Sequence, residues 1–117
     1  MRDTFDLPIF NKIYDFYKEI YKLRGVLPKQ DRYTIWQKVE NVALNIMEKI
    51  LEATTASKGI KMKILEKASN KLNLLRILIR LSKDVKGIDN KKYILLQERL
   101  DEIGRMLGGW IKATKTP

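Results

Sequence analysis

Neither cysteine nor histidine occurs anywhere in the chain. Their absence excludes a disulfide scaffold, thiolate or imidazole zinc sites, Cys/His catalytic pairs, and the Glu-x-x-His motif with which helical bundles hold paired metals. The remaining acidic candidates, Glu40, Glu48, Glu52, Glu98, Asp101 and Glu102, fall outside the apolar stripes described below, and no metal or cofactor is expected. There is also no Walker-type glycine loop, no G-x-S-x-G elbow and no lysine-centred triad. A non-catalytic protein is the reading these gaps leave. No apolar run approaches the ~20 residues of a membrane span, and the opening "MRDTFDLPIF" lacks the apolar stretch of a signal peptide. A soluble, cytoplasmic protein is expected. Negative charge is the last shortage: 14 acidic against 24 basic residues leave a net +10. Such an excess points to an anionic partner, nucleic acid first and a membrane surface second. The membrane surface is disfavoured because the apolar stripes are better used inside a bundle.

What the chain does contain is apolar residues at alternating steps of three and four, the helical period. Ile9, Ile13, Phe16, Ile20 and Leu23 form a first stripe. Trp36, Val39, Ala43, Ile46, Ile50 and Ala53 form a second; Leu65, Ala68, Leu72, Leu75 and Ile79 a third; Tyr93, Leu96, Leu100, Ile103, Leu107 and Trp110 a fourth. Asp6-Leu7-Pro8 suits a helix start, since proline is tolerated where its missing N–H is not needed. "RGVLPKQD", "TTASKG" and "KGIDN" supply the connections. The spacing predicts helices over about 7–24, 31–54, 60–85 and 90–111. Short links make these antiparallel neighbours, so the expected architecture is all-α: one domain spanning 1–117, an up-down four-helix bundle with shallow crossing angles.

Two helices carry more apolar surface than one bundle needs. Leu74, Leu78, Leu81 and Val85 form an extra stripe about 120° around the third helix from its core stripe. Exposed apolar rows of this length mark contacts, and a homo-oligomer is expected to cover Leu74, Leu78 and Leu81. The first helix has a similar row, Phe10, Tyr14, Tyr17 and Tyr21. Its tyrosines suit core or interface packing, with base stacking the other use open to them.

The charge is concentrated as well. Residues 58–86 hold nine basic and two acidic residues, a net +7, against +1 for 1–57 and +2 for 87–117. Arg76, Arg80 and Lys83 project within about 60° of one another, while Lys63, Lys67 and Lys71 cluster on roughly the opposite side. Nucleic acid would therefore meet two patches on one subunit, or a surface composed from several. Arginine can pair bidentately with phosphate and lysine acts as a point charge. The expected signature is phosphate-dominated affinity that falls steeply with salt and discriminates poorly among sequences.

One stretch resists the helical pattern. In "EIGRMLGGWIK", residues 102–112, three glycines interrupt a predicted helix at a cost of about 1 kcal/mol each relative to alanine. Gly104 and Gly108 lie four apart on one side, which suggests a seam where another helix backbone approaches closely. A frayed C-terminal cap would account for Gly108 and Gly109 but not for Gly104.

Together with "LPIF", "YD", "WQKVENVALNIMEKILEA" and "LRILIRLSKD", the motif "LDEIGRMLGGWIK" at 100–112 gives the chain its resemblance to the accessory variability protein (Avd) family of diversity-generating retroelements. The resemblance spans nearly the whole chain and is most specific in that C-terminal motif. It implies a homopentameric barrel of four-helix bundles that is positively charged, binds RNA or DNA, and associates with the element's reverse transcriptase. That complex copies a template RNA into adenine-mutagenised cDNA. Basic residues of the family's third helix are implicated in these contacts, and Arg76 and Arg80 are the matching positions. The alternative is a structural bundle of the related ribosomal-RNA intervening-sequence type, without a reverse transcriptase partner.

Overall fold

A computed structural model describes residues 7–116. Asp6, the proposed start of the first helix, lies outside the described residues. Leu7 takes the N-cap position in extended conformation without a side-chain cap, and Pro8 opens helix α1 (Pro8–Leu23). A 3-10 turn (Arg24–Val26) and a single helical turn α2 (Lys29–Arg32) lead to α3 (Ile35–Thr55). Then follow α4 (Lys58–Asp84) and α5 (Asn90–Lys115). The fold is all-helical over the described residues, with four long helices arranged as a bundle measuring 48 × 26 × 21 Å. Each long helix packs against two others, in the order α1, α3, α4, α5 and back to α1.

The core is the set of predicted stripes meeting at the centre. Ile13, Phe16, Ile20, Trp36, Ile46, Ile50, Leu65, Leu75, Ile79, Leu96, Leu100 and Ile103 are essentially inaccessible. Full burial of such a side chain is worth about 1.5–3 kcal/mol, which makes this centre the main source of stability. The stripe ends Leu23, Tyr93 and Trp110 are half-buried. Three further residues, Leu27, Val42 and Ile88, join the core although they belong to no stripe. Leu27 and Ile88 sit in connections.

Two helix boundaries depart from expectation. The second helix, expected from 31, is broken at Tyr33 and Thr34, where Thr34 leaves the helical region with φ −121° and ψ −94°. The break re-aims the chain so that Trp36 enters the core and its indole N–H donates to the Ile20 carbonyl at 2.8 Å. Arg32 secures the same corner, donating through Nε to the Leu27 carbonyl and through Nη2 to that of Gly25. The last helix, expected to end at 111, continues to Lys115, so Gly108 and Gly109 are interior positions and not a cap. Asp89 begins it properly: its carboxylate accepts from the Lys92 N–H at 2.8 Å.

Candidate nucleic-acid interface

Helix α4 buries Leu65, Ala68, Leu72, Leu75, Ile79 and Ser82, which leaves one flank turned toward α5 and one toward α3. Arg76, Arg80 and Lys83 share the α5 flank. Arg76 is half-buried there: Nη1 is paired with the Asp101 carboxylate and Nη2 donates to the Leu100 carbonyl at 3.3 Å. The Arg76 backbone carbonyl in turn accepts from Gln97 at 3.1 Å. Arg80 is 73% exposed, with only a 3.8 Å approach to Asp84 one turn on. The Lys83 ammonium lies 4.6 Å from the centre of the Tyr93 ring, a cation–π contact.

Lys63, Lys67 and Lys71 fall by helical phase on the other flank. Lys63 and Lys67 are exposed and Lys71 half-buried. None of the three has an ion pair among the described residues. The structure therefore keeps the two basic clusters apart, as their helical phase requires. The leucine row Leu74, Leu78 and Leu81 continues the lysine flank toward the helix end. Leu74 and Leu81 are exposed and Leu78 half-buried, so the described residues cover the row only in part.

The glycines of α5 differ in what they face. A Cβ on Gly104 would lie 2.6 Å from Arg76 Nη2 and 3.5 Å from a Leu72 methyl. Gly104 thus makes room for a guanidinium, not for a helix backbone as the seam reading has it. A Cβ on Gly108 would meet nothing within 4 Å, so Gly108 is not close-packed within the subunit. Both glycines line a cavity of about 370 Å³ between α4 and α5, together with Ser69, Asn73, Arg76, Asp101 and Arg105.

A second, apolar groove of about 600 Å³ runs between α1 and α3, lined by Tyr14, Tyr17, Tyr21, Leu44 and Met47 with Lys18 and Lys22. Phe10, the first of the predicted extra row, is buried instead. Leu44 and Met47 have no place in the core stripe, and only the packing of α3 on α1 reveals them as walls. Among the described residues no three of His, Cys, Asp or Glu are grouped to hold a metal ion, and no helix is long and apolar enough to cross a membrane.

A family model described as bAvd-like matches residues 7–114, all four long helices. The chain belongs to the bAvd-like family. This is the accessory variability protein family that the C-terminal motif resembles. No curated protein matches the chain.

Sequence reasoning missed one charged site in this bAvd-like chain. Glu40 is buried, its Oε1 held at 2.9 Å by Nη2 of Arg24 in the 3-10 turn that follows α1. Glu40 Oε2 and Arg24 Nε are buried without a hydrogen-bond partner. Burial pushes the Glu40 carboxyl above the ordinary glutamate range, with the Arg24 charge and hydrogen bond opposing it. Glu40 sits one residue beyond Val39, and that proximity to the core stripe was the available signal. The Asp89 carboxyl is shifted the other way, held low chiefly by the backbone N–H of Lys92.

Proposed function

We propose that this bAvd-like chain is a non-catalytic accessory subunit of a diversity-generating retroelement reverse transcriptase. It binds nucleic acid through the basic flanks of α4 and supports mutagenic cDNA synthesis from template RNA. The observation that carries this reading is the family match across all four helices. The +7 balance of residues 58–86 supports it, and much of that charge is exposed. The lysine flank supplies point charges for phosphates, and Arg80 adds a guanidinium that is nearly free of protein partners. Self-association through Leu74, Leu78 and Leu81, into the pentamer the family resemblance implies, would bring several such flanks onto one composite surface.

The test is binding of a labelled single-stranded RNA at two salt concentrations, with co-purification of a co-expressed reverse transcriptase of a diversity-generating retroelement. The expected result is affinity that falls steeply with salt, together with retention of the enzyme. Absence of binding at low salt, with a stable oligomer, would favour the purely structural bundle. Charge-neutral variants should avoid Arg76, whose loss would disturb the α4/α5 packing as well as the surface.

A further inference from the structure

The cavity between α4 and α5 has a composition that packing within the subunit does not explain. Its floor is the buried pair Leu72 and Leu107, and its rim carries Ser69, Asn73, Arg76, Asp101 and Arg105. Four of those five side chains can donate hydrogen bonds. The one carboxylate, Asp101, is already paired with Arg76. Arg76 uses two of its five donors on Asp101 and the Leu100 carbonyl, and these contacts hold its guanidinium at the cavity edge. Arg105 is exposed and has no ion pair among the described residues, and Ser69 and Asn73 have no side-chain hydrogen bond there. With Arg76 and Asp101 neutralising each other, Arg105 leaves the rim positive. Gly108 also lines the cavity. Glycine weakens a helix interior, yet no neighbour in the subunit demands one here. A side chain at 108 would instead occupy the space over the cavity.

We propose that this cavity is a phosphate subsite. Arg105 supplies the net charge, the free donors of Arg76 with Ser69 and Asn73 the hydrogen bonds, and Gly108 the bare helix surface that lets a tetrahedral anion reach them. Arg76 is a positioned donor, fixed by Asp101 and accommodated by Gly104. The inference rests on the nucleic-acid reading: the phosphate is that of an RNA or DNA backbone, which runs on past Arg80 one turn along α4. A free phosphate or nucleotide has the same chemistry and is the other source.

The test uses the full chain and two variants, Gly108→Leu and Arg105→Gln, with a labelled single-stranded RNA titrated at 50 and 200 mM salt. Melting temperature and mass in solution are read alongside. Gly108→Leu should melt at or above the wild-type temperature and keep its mass, because a Cβ at 108 meets no described atom within 4 Å and leucine improves the helix. It should bind RNA at least 10-fold more weakly, and Arg105→Gln should lower the salt slope by about 0.7, one single-strand phosphate contact. Wild-type binding that both variants retain unchanged overturns the subsite and leaves the general nucleic-acid reading standing. If Gly108→Leu changes the mass, Arg105→Gln, which removes no ion pair among the described residues, decides alone. If the wild type binds no RNA, that general reading fails, and calorimetric titration with inorganic phosphate decides the subsite. Heat that Gly108→Leu abolishes supports a free-phosphate site, and no heat in the wild type overturns it.

Discussion

On the flank of α4 that faces α5, each cation meets a protein partner in graded fashion. Arg76 is locked by Asp101 and the Leu100 carbonyl, Lys83 rests on the Tyr93 ring, and Arg80 has only a long pair with Asp84. On roughly the opposite side of the helix, Lys63, Lys67 and Lys71 have no such partners among the described residues, and a leucine row takes over where they stop. The same helix thus spends charge in two ways. A cation already satisfied by its own fold contributes to stability and offers few donors outward. An unpaired lysine costs the fold little and releases counterions when a phosphate arrives.

The largest effect that would break this comparison is on binding. Replacing Lys63, Lys67 and Lys71 together by alanine should weaken single-stranded RNA binding on the order of 10²-fold at 50 mM salt, through loss of about 0.7 counterion per contact. Fluorescence anisotropy measures it, and the melting temperature should stay put. A triple variant that binds normally would move the interface to the α5 flank.

Next comes stability. Arg76→Ala leaves Asp101 and the Leu100 carbonyl without their donor in a half-buried seam, and should cost about 1–2 kcal/mol. Lys67→Ala should stay within about 0.5 kcal/mol of wild type. Urea midpoints of the two variants compare the flanks directly; equal midpoints would mean the Arg76 lock contributes nothing.

Much of this comparison was legible in the sequence, and the part that was not has a physical cause. Helical phase alone separates Arg76, Arg80 and Lys83 from Lys63, Lys67 and Lys71, and it selects Trp36, Leu65 and Leu75 as core, because burial follows the 3.6-residue period. Phase says nothing about what lies across a helix interface. That Asp101 and Gly104 cradle Arg76 depends on the register of α5 against α4, two residues of one helix meeting one residue that lies 25 positions before the first of them. Leu27 and Ile88 were invisible for a related reason: they sit in connections, where no period exists to mark them. The break at Thr34 serves Trp36, whose indole finds the Ile20 carbonyl only once the chain has turned.

The Arg24–Glu40 pair repeats the Arg76 lock between α3 and the 3-10 turn after α1, but with its carboxylate buried. Because burial raises the Glu40 pKa above its unfolded value, the folded state favours the protonated form. The stability tied to that proton is full below the ordinary glutamate range and is lost as pH rises through the raised folded value. Glu40→Gln keeps a hydrogen-bond acceptor for Arg24 without the charge. It should flatten the portion of the stability profile that lies above the ordinary glutamate value. Asp89, whose pKa is lowered, works in the opposite sense, its contribution lost as pH falls, so the measurement is the difference between wild-type and variant urea midpoints across that range. Parallel profiles would show that the buried carboxylate carries no such linkage.

The smallest effect lies where the two flanks of α4 end. Gly87 N–H donates to the Ser82 carbonyl at 2.7 Å and Lys86 N–H to that of Lys83 at 2.9 Å, the paired bonds of a Schellman cap. The residue this motif places in the left-handed region is Lys86, with φ 65°, where glycine is the usual occupant. Gly87 is needed for a different reason: a Cβ there would lie 3.1 Å from the Ser82 carbonyl and 3.3 Å from Asp31 Oδ2. Lys86→Gly should therefore relieve backbone strain and raise stability by about 1 kcal/mol, read from the urea midpoint. Lys86 is exposed and neighbours Lys83 and Lys92 around a depression at the bundle end. If that end belongs to the binding surface, the more stable variant will bind RNA with a shallower salt slope. An unchanged slope would confine the interface to the middle of α4, between Lys63 and Arg80.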